Sequence, residues 1–133
     1  MKIMTTAIPT IAVFPEEKLT LDQKIEKWVW QLCRTLEENY QQSYPNSSSN
    51  KTFKMEFGRK YIKVIQSDVD ANGKEWSGGV HAFIDKKNGE VYKPASWKSP
   101  AKIVRYDLRL ISDRQKLHNP NYTDWAGGYL YLR

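Results

Sequence analysis

Reactive side chains are scarce in this sequence. It contains one cysteine, Cys33, and two histidines, His81 and His118. A single cysteine excludes an intrachain disulfide framework, and with it the small stapled folds of the secreted world; a lone thiol fits a reducing compartment. Neither histidine has a second ligand at metal spacing, and no CxxC, HExxH, phosphate-loop or dinucleotide-loop pattern occurs. Asp68, Asp70 and Glu75 fall close together but lack the regular ligand spacing of a calcium loop. No apolar run approaches 18 residues, so the sequence gives no membrane-spanning segment. The first 14 residues are mildly apolar, with Lys2 early and Pro9 in the middle, and offer no clean cleavage site; we read no signal peptide there. With no nucleophile–base pair and no ligand cluster, the expectation is a protein that is not an enzyme, with no catalytic residues, no metal and no cofactor.

Aromatic rings and positive charge are present instead. The chain has five Trp and eight Tyr, and a net charge of +6 over 133 residues. That length predicts one domain, here residues 20–133, preceded by an arm over 1–19. The charge is uneven: residues 51–109 carry thirteen Lys/Arg against seven Asp/Glu, while 1–50 are nearly balanced. Within it lies EVYKPASWKSPAKIVRYDLR, Glu90 to Arg109, where Lys93, Lys98, Lys102, Arg105 and Arg109 alternate with Tyr92, Trp97 and Tyr106. Pro94 and Pro100 prevent that segment from being one helix. Such a stretch is either a solvated surface crossing or a place where something flat and anionic is held.

The periodicity predicts an α+β fold: one long N-terminal helix packed on an antiparallel sheet of four to five strands. Thr20 reads as an N-cap with Gln23 three residues on, and Ile25, Trp28, Val29, Leu32, Leu36 and Tyr40 mark one face of a helix over Leu21–Ser43. Trp30 falls off that face. Pro45 ends the helix, and NSSSN is a polar linker. A short strand is predicted through Ile11–Phe14, and others through FKMEF from Phe53, Tyr61–Gln66 and Val80–Asp85. Asn88-Gly89 predicts a hairpin turn that pairs Phe83 with Tyr92 and Ile84 with Val91. Asp68–Gly79 reads as a polar loop, Pro100–Lys102 as the start of a short helix, Val104–Ile111 as strand or helix, and Tyr129–Leu132 (YLYL) as a last strand.

Most conspicuous residues have an ordinary structural reading. Cys33 and Trp28 lie at core spacing, and His81 between strand residues suits a satisfied structural histidine. Lys86 and Lys87 flank a hairpin tip and suit a solvated surface. For Arg59, Lys93 and Arg105 the binding and structural readings are evenly matched. Arg105 and Arg109 read as exposed rather than core.

The run GRKYIKVI … GGVHAFIDKKNGEVYKPASWKSPAKIVRYDL, Gly58 to Leu108, resembles a group of small phage-encoded proteins that share a G-R-K-Y-I-K strand entry, a V-H-x-F-[IV]-D-K hairpin and Y-K-P-A-S-W-K-x-P-A-K. That group is similar to the phage Thoeris anti-defence sponge family. The resemblance implies an oligomer, dimeric or higher, in the cytoplasm of an infected bacterial host. It implies sequestration of cyclic ADP-ribose isomers, with cyclic oligonucleotides as a further ligand class, and no cleavage. It further implies that a helix tryptophan, Trp28 or Trp30, and Phe83 sandwich an adenine. Arg59 with Arg105 or Arg109 would hold phosphates, and Lys93, Ser99 and Ala101 would line the same pocket.

Two other classes use the same inventory. A single-stranded nucleic-acid-binding protein needs a continuous basic path with stacked bases, and thirteen cations diluted by seven acids are a modest supply. An inhibitor acting through a host-protein interface would leave Arg59 and Phe83 without a small-molecule role.

Overall fold

The computed structural model describes residues 15–131. The predicted strand through Ile11–Phe14 lies outside the described residues. Helix α1 runs over Leu21–Ser43. Its start is a capping box: the Gln23 N–H donates to Thr20 Oγ1 (3.2 Å) and the Thr20 N–H donates to Gln23 Oε1 (3.0 Å). The helix buries Ile25, Trp28, Val29, Leu32, Cys33 and Leu36 as one stripe and stops two residues before Pro45.

Five strands follow: β1 (Asn50–Phe57), β2 (Tyr61–Val69), β3 (Glu75–Asp85), β4 (Glu90–Tyr92) and β5 (Tyr106–Asp107), with helix α2 (Ile111–Leu117) after them. Spatial order equals sequence order and every neighbouring pair is antiparallel, so the sheet is a meander. This is the expected α+β architecture. The β3–β4 hairpin pairs Phe83 with Tyr92 and Ile84 with Val91, as Asn88-Gly89 predicts. Gly89 takes φ +77°, and a Cβ there would press to 3.3 Å from Leu108 Cβ, so the turn needs glycine twice over.

Side chains alternate between two sheet faces. Phe53, Ile62, Val64, Ala82, Ile84 and Val91 join the α1 stripe in the core, closed by Leu108, Leu117, Tyr129 and Leu130. The opposite face carries Lys54, Lys63, Ile65, Ser67, Ser77, Phe83 and Tyr92, as the register requires. β1 is a sheet edge, and α1 covers part of it. Arg34 Nη2 donates to the Phe53 carbonyl (2.8 Å), and the Phe53 N–H donates to Glu37 Oε2 (2.8 Å). An ion pair from the helix thus stands where a further strand would pair.

Three expectations fail. The Asp68–Gly79 stretch is strand at both ends, with a turn only between Val69 and Glu75; register shifts in β2–β3 absorb its glycines. Pro100–Lys102 starts no helix, because Pro100 bridges back to Pro94. The predicted strand Tyr129–Leu132 is displaced by a 3-10 turn over Gly128–Leu130, with Leu132 beyond the described residues. Gly127 at φ +87° starts that turn, and the Asp124 carboxylate accepts the N–H groups of Gly128 (2.9 Å) and Tyr129 (3.0 Å). Among the described residues, no helix is long and apolar enough to cross a membrane.

Candidate functional site

Between β4 and β5 the chain leaves the sheet and returns through a closed loop. The Ala101 N–H donates to the Lys93 carbonyl (2.7 Å), those of Ala95 and Ser96 donate to the Ser99 carbonyl (3.0 and 3.1 Å), and the Arg105 N–H donates to the Val91 carbonyl (2.8 Å). The Ser96 and Ser99 hydroxyls share a further bond at 3.1 Å. These ties hold the base of the loop and present Trp97 at its tip, 49% exposed.

Trp97 stands over the sheet face that α1 leaves free. Lys63 Nζ lies 4.9 Å from the Trp97 ring centre and 5.7 Å from that of Phe83. Tyr61 meets Phe83 and Tyr92 edge to face, with centroids 5.7 and 6.0 Å apart. A cation is thus bracketed by two rings, within an aromatic cluster drawn from β2, β3, β4 and the loop. Burial and the neighbouring Glu90 push the Tyr92 hydroxyl up to about 12, so it stays protonated and donates to Glu90 Oε1 (2.9 Å).

Beside Trp97 lies a groove of about 490 Å³ floored by Lys54, Ile65, Ser67, Glu75 and Ser77. Lys54 pairs with Glu75 at 2.6 Å, and Thr52 donates to the same carboxylate. The Lys54 hydrogen bond is the main reason the Glu75 carboxyl sits below its ordinary range. Glu75 is therefore an ionised acceptor at neutral pH. The groove offers one flat exposed face, Lys54, two hydroxyls and two carboxylates, Glu56 and Glu75, with Lys63 beside it against the Trp97 ring: the means to stack a ring, meet an anion with lysines and accept from an exocyclic amine.

The residues singled out in the sequence are spread over the molecule. Phe83 lies under Lys63 and is 1% exposed. Ser99 and Ala101 belong to the loop base, and Lys93 faces a different cleft, its Nζ 4.9 Å from the Tyr131 ring. Trp28 is core: its Nε1 donates to Glu16 Oε1 (3.3 Å) and Arg114 covers its ring at 4.1 Å. Trp30 packs with Arg34 near the β1 edge. Because Phe83 alternates with Ala82 and Ile84, Phe83 and Trp28 lie on opposite faces of the sheet in one chain.

Arg59 occupies the β1–β2 turn beside Lys86, Lys87 and the start of α1. Arg109 is exposed and forks onto its own neighbour Asp107 (2.8 and 3.1 Å). Arg105, expected to be exposed, is half-buried: its Nε donates to the Leu130 carbonyl (2.7 Å) and its Nη1 to that of Ile103. Lys63, Tyr61 and the Lys54–Glu75 pair carry no sequence signal of their own. Only strand register brings them to Trp97.

The histidines and the cysteine have structural partners. His81 Nε2 and the Tyr129 hydroxyl share a buried bond (2.7 Å), and burial pulls the His81 imidazole down to about 4. His118 Nε2 bonds the Trp28 carbonyl at 2.9 Å. Burial pushes the Cys33 thiol up to about 12, which keeps it protonated. Among the described residues, no three His, Cys, Asp or Glu side chains group as metal ligands.

A family model described as Family of unknown function (DUF7717) matches residues 12–132. The chain belongs to that family. All the described strands and helices of this DUF7717 chain, and the Trp97 loop with its groove, lie inside the matched range. No curated protein and no solved structure matches the chain.

Proposed function

We propose that this protein captures a small anionic nucleotide in the Trp97 groove and releases it unchanged, as a phage anti-defence protein that sequesters cyclic ADP-ribose isomers or cyclic oligonucleotides. One observation carries the reading. An exposed tryptophan on a tied-down loop stands beside lysines and an ionised acceptor, on a sheet face the helix does not cover. A purine stacks on Trp97, Lys63 and Lys54 oppose its phosphates, and Glu75 accepts from an amino edge. Stacking on one aromatic face is worth about 1–3 kcal/mol. An assembly of several chains would add walls that one chain lacks.

The same inventory serves single-stranded nucleic acid less well. Trp97 covers Lys63 on the free face. Trp76, the other tryptophan 49% exposed, is one residue from Ser77 on β3 and so points to the opposite face. A strand-binding path needs its stacking platforms along one continuous groove.

Titration calorimetry against cyclic ADP-ribose isomers and cyclic di- and trinucleotides tests the proposal, with the ligand recovered by heat denaturation and identified by mass. Capture with intact recovery is expected, weakened between about 5- and 150-fold by Trp97→Ala. No heat from any of these ligands, or undiminished capture by Trp97→Ala, removes the assignment.

A further inference from the structure

A second cleft lies on the other side of the sheet, where β3 meets the C-terminal segment. Its volume is about 290 Å³, and its walls include Gln66, Gly79, His81, Lys93, Gly127 and Tyr131. Two of those walls are glycine. Gly79 has open space where a Cβ would stand, and a Cβ on Gly127 would sit 3.6 Å from His81 Cε1 and 4.0 Å from Nδ1. The missing side chains make the cleft and leave the Nδ1–Cε1 edge of His81 facing the notch at Gly127. His81 is 8% exposed, and its other nitrogen is taken by Tyr129. Lys93 reaches in from the base of the loop, its ammonium resting on the Tyr131 ring. Among the described residues Lys93 forms no ion pair. Arg105, bonded to the carbonyl of the lining residue Leu130, sets a second positive charge behind the wall.

We propose that this cleft is an oxyanion site for a phosphate group, held by the Lys93 ammonium and by the His81 Nδ1–H. The tautomer follows if the Tyr129 hydroxyl donates to Nε2, which leaves the imidazole proton on the nitrogen beside the cleft. A neutral imidazole donates without adding charge, so the anion meets one buried donor and one ammonium. The site is independent of the Trp97 groove: Gln66 lines this cleft, whereas its strand neighbours Ile65 and Ser67 floor the groove on the other face.

The cleft can be closed without disturbing the fold. Gly79 opposes Gln66 in the register, its φ is not positive, and an added Cβ touches nothing. Gly79→Val therefore fills the cleft with a residue that suits a strand. The test follows amide chemical shifts of the full chain while inorganic phosphate is added, with adenosine 5′-monophosphate as a second arm. Saturable shifts are expected at Gly79, Val80, His81, Lys93 and Gly127. Lys93→Met should weaken binding at least tenfold and Gly79→Val should abolish it, both melting close to the parent. Trp97→Ala should bind phosphate as the parent does. Tighter binding of the monophosphate than of phosphate would assign a nucleotide's phosphate, and equal binding a free phosphate group. Absence of saturable shifts, or equal affinity in Lys93→Met and Gly79→Val, would overturn the site.

Discussion

The buried His81–Tyr129 pair makes acid sensitivity predictable in sign and size. Burial lowers the imidazole to about 4 against an ordinary 6.5, outweighing the nearby Asp124, which acts to raise it. The folded state therefore binds fewer protons than the unfolded chain between those two values. Stability from this group is complete above about pH 6.5 and is lost as pH falls towards 4. The full loss is about 3 kcal/mol, and about 2 kcal/mol of it is gone by pH 5. Urea unfolding in phosphate-free buffer from pH 7.5 to 4.5 measures it. Glu75 and Asp107, both held low by hydrogen bonds from basic side chains, and His118, lowered by burial, also titrate. The control is the double variant His81→Phe with Tyr129→Phe. It removes both ends of the 2.7 Å bond, so neither polar atom is left unsatisfied. Its stability should fall less over this range, by about 2 kcal/mol at pH 5. A double variant that loses stability as steeply as the parent would refute the reasoning.

Two further outcomes test the fold's supports. Glu37→Ala leaves the Phe53 N–H without its acceptor and Arg34 without its ion-pair partner, and should lower urea stability by about 2–3 kcal/mol. It should also raise self-association in light scattering, because the β1 edge loses part of its cover; an unchanged midpoint would mean the clamp is not needed. Arg105→Met removes the donors to Leu130 and Ile103 and should cost about 1.5–3 kcal/mol of stability in the same assay. Nucleotide capture lost at full stability would instead return Arg105 to a ligand.

Local signals in the sequence carry far. The span of α1, its Thr20–Gln23 box and the Phe83–Tyr92 register are set by residues within a few positions of one another, and all are legible in the order of the residues alone. The failures are non-local. Gly78 and Gly79 look like a loop until β2 is alongside, and pairing plus register shifts then hold them extended. YLYL alternates as a strand does, but Asp124 and Gly127 turn the chain first and send Tyr129 to His81. Trp97 is legible as part of a cationic, proline-punctuated segment. Its groove is not, because Lys54, Glu75 and Lys63 reach it only through cross-strand pairing.

The arginines illustrate why residue type alone misplaces a phosphate site. A guanidinium fork is the natural partner for a phosphate, and a reading by composition assigns it there. In this fold the forks are mostly occupied. Arg34 holds the β1 edge, Arg105 the C-terminal turn, Arg109 its neighbour Asp107, and Arg114 the Leu108 carbonyl (2.7 Å) and the Trp28 ring. The cations that face the two depressions are lysines: Lys54 at the groove, Lys63 beside it under Trp97, and Lys93 at the cleft. Lysine meets a phosphate as a point charge with rotatable donors, so orientation must come from elsewhere. Here the Trp97 ring and the Glu75 carboxylate would supply it in the groove, and the His81 edge in the cleft. Base stacking and amine recognition would then set ligand choice, with the lysines contributing attraction that weakens as salt rises.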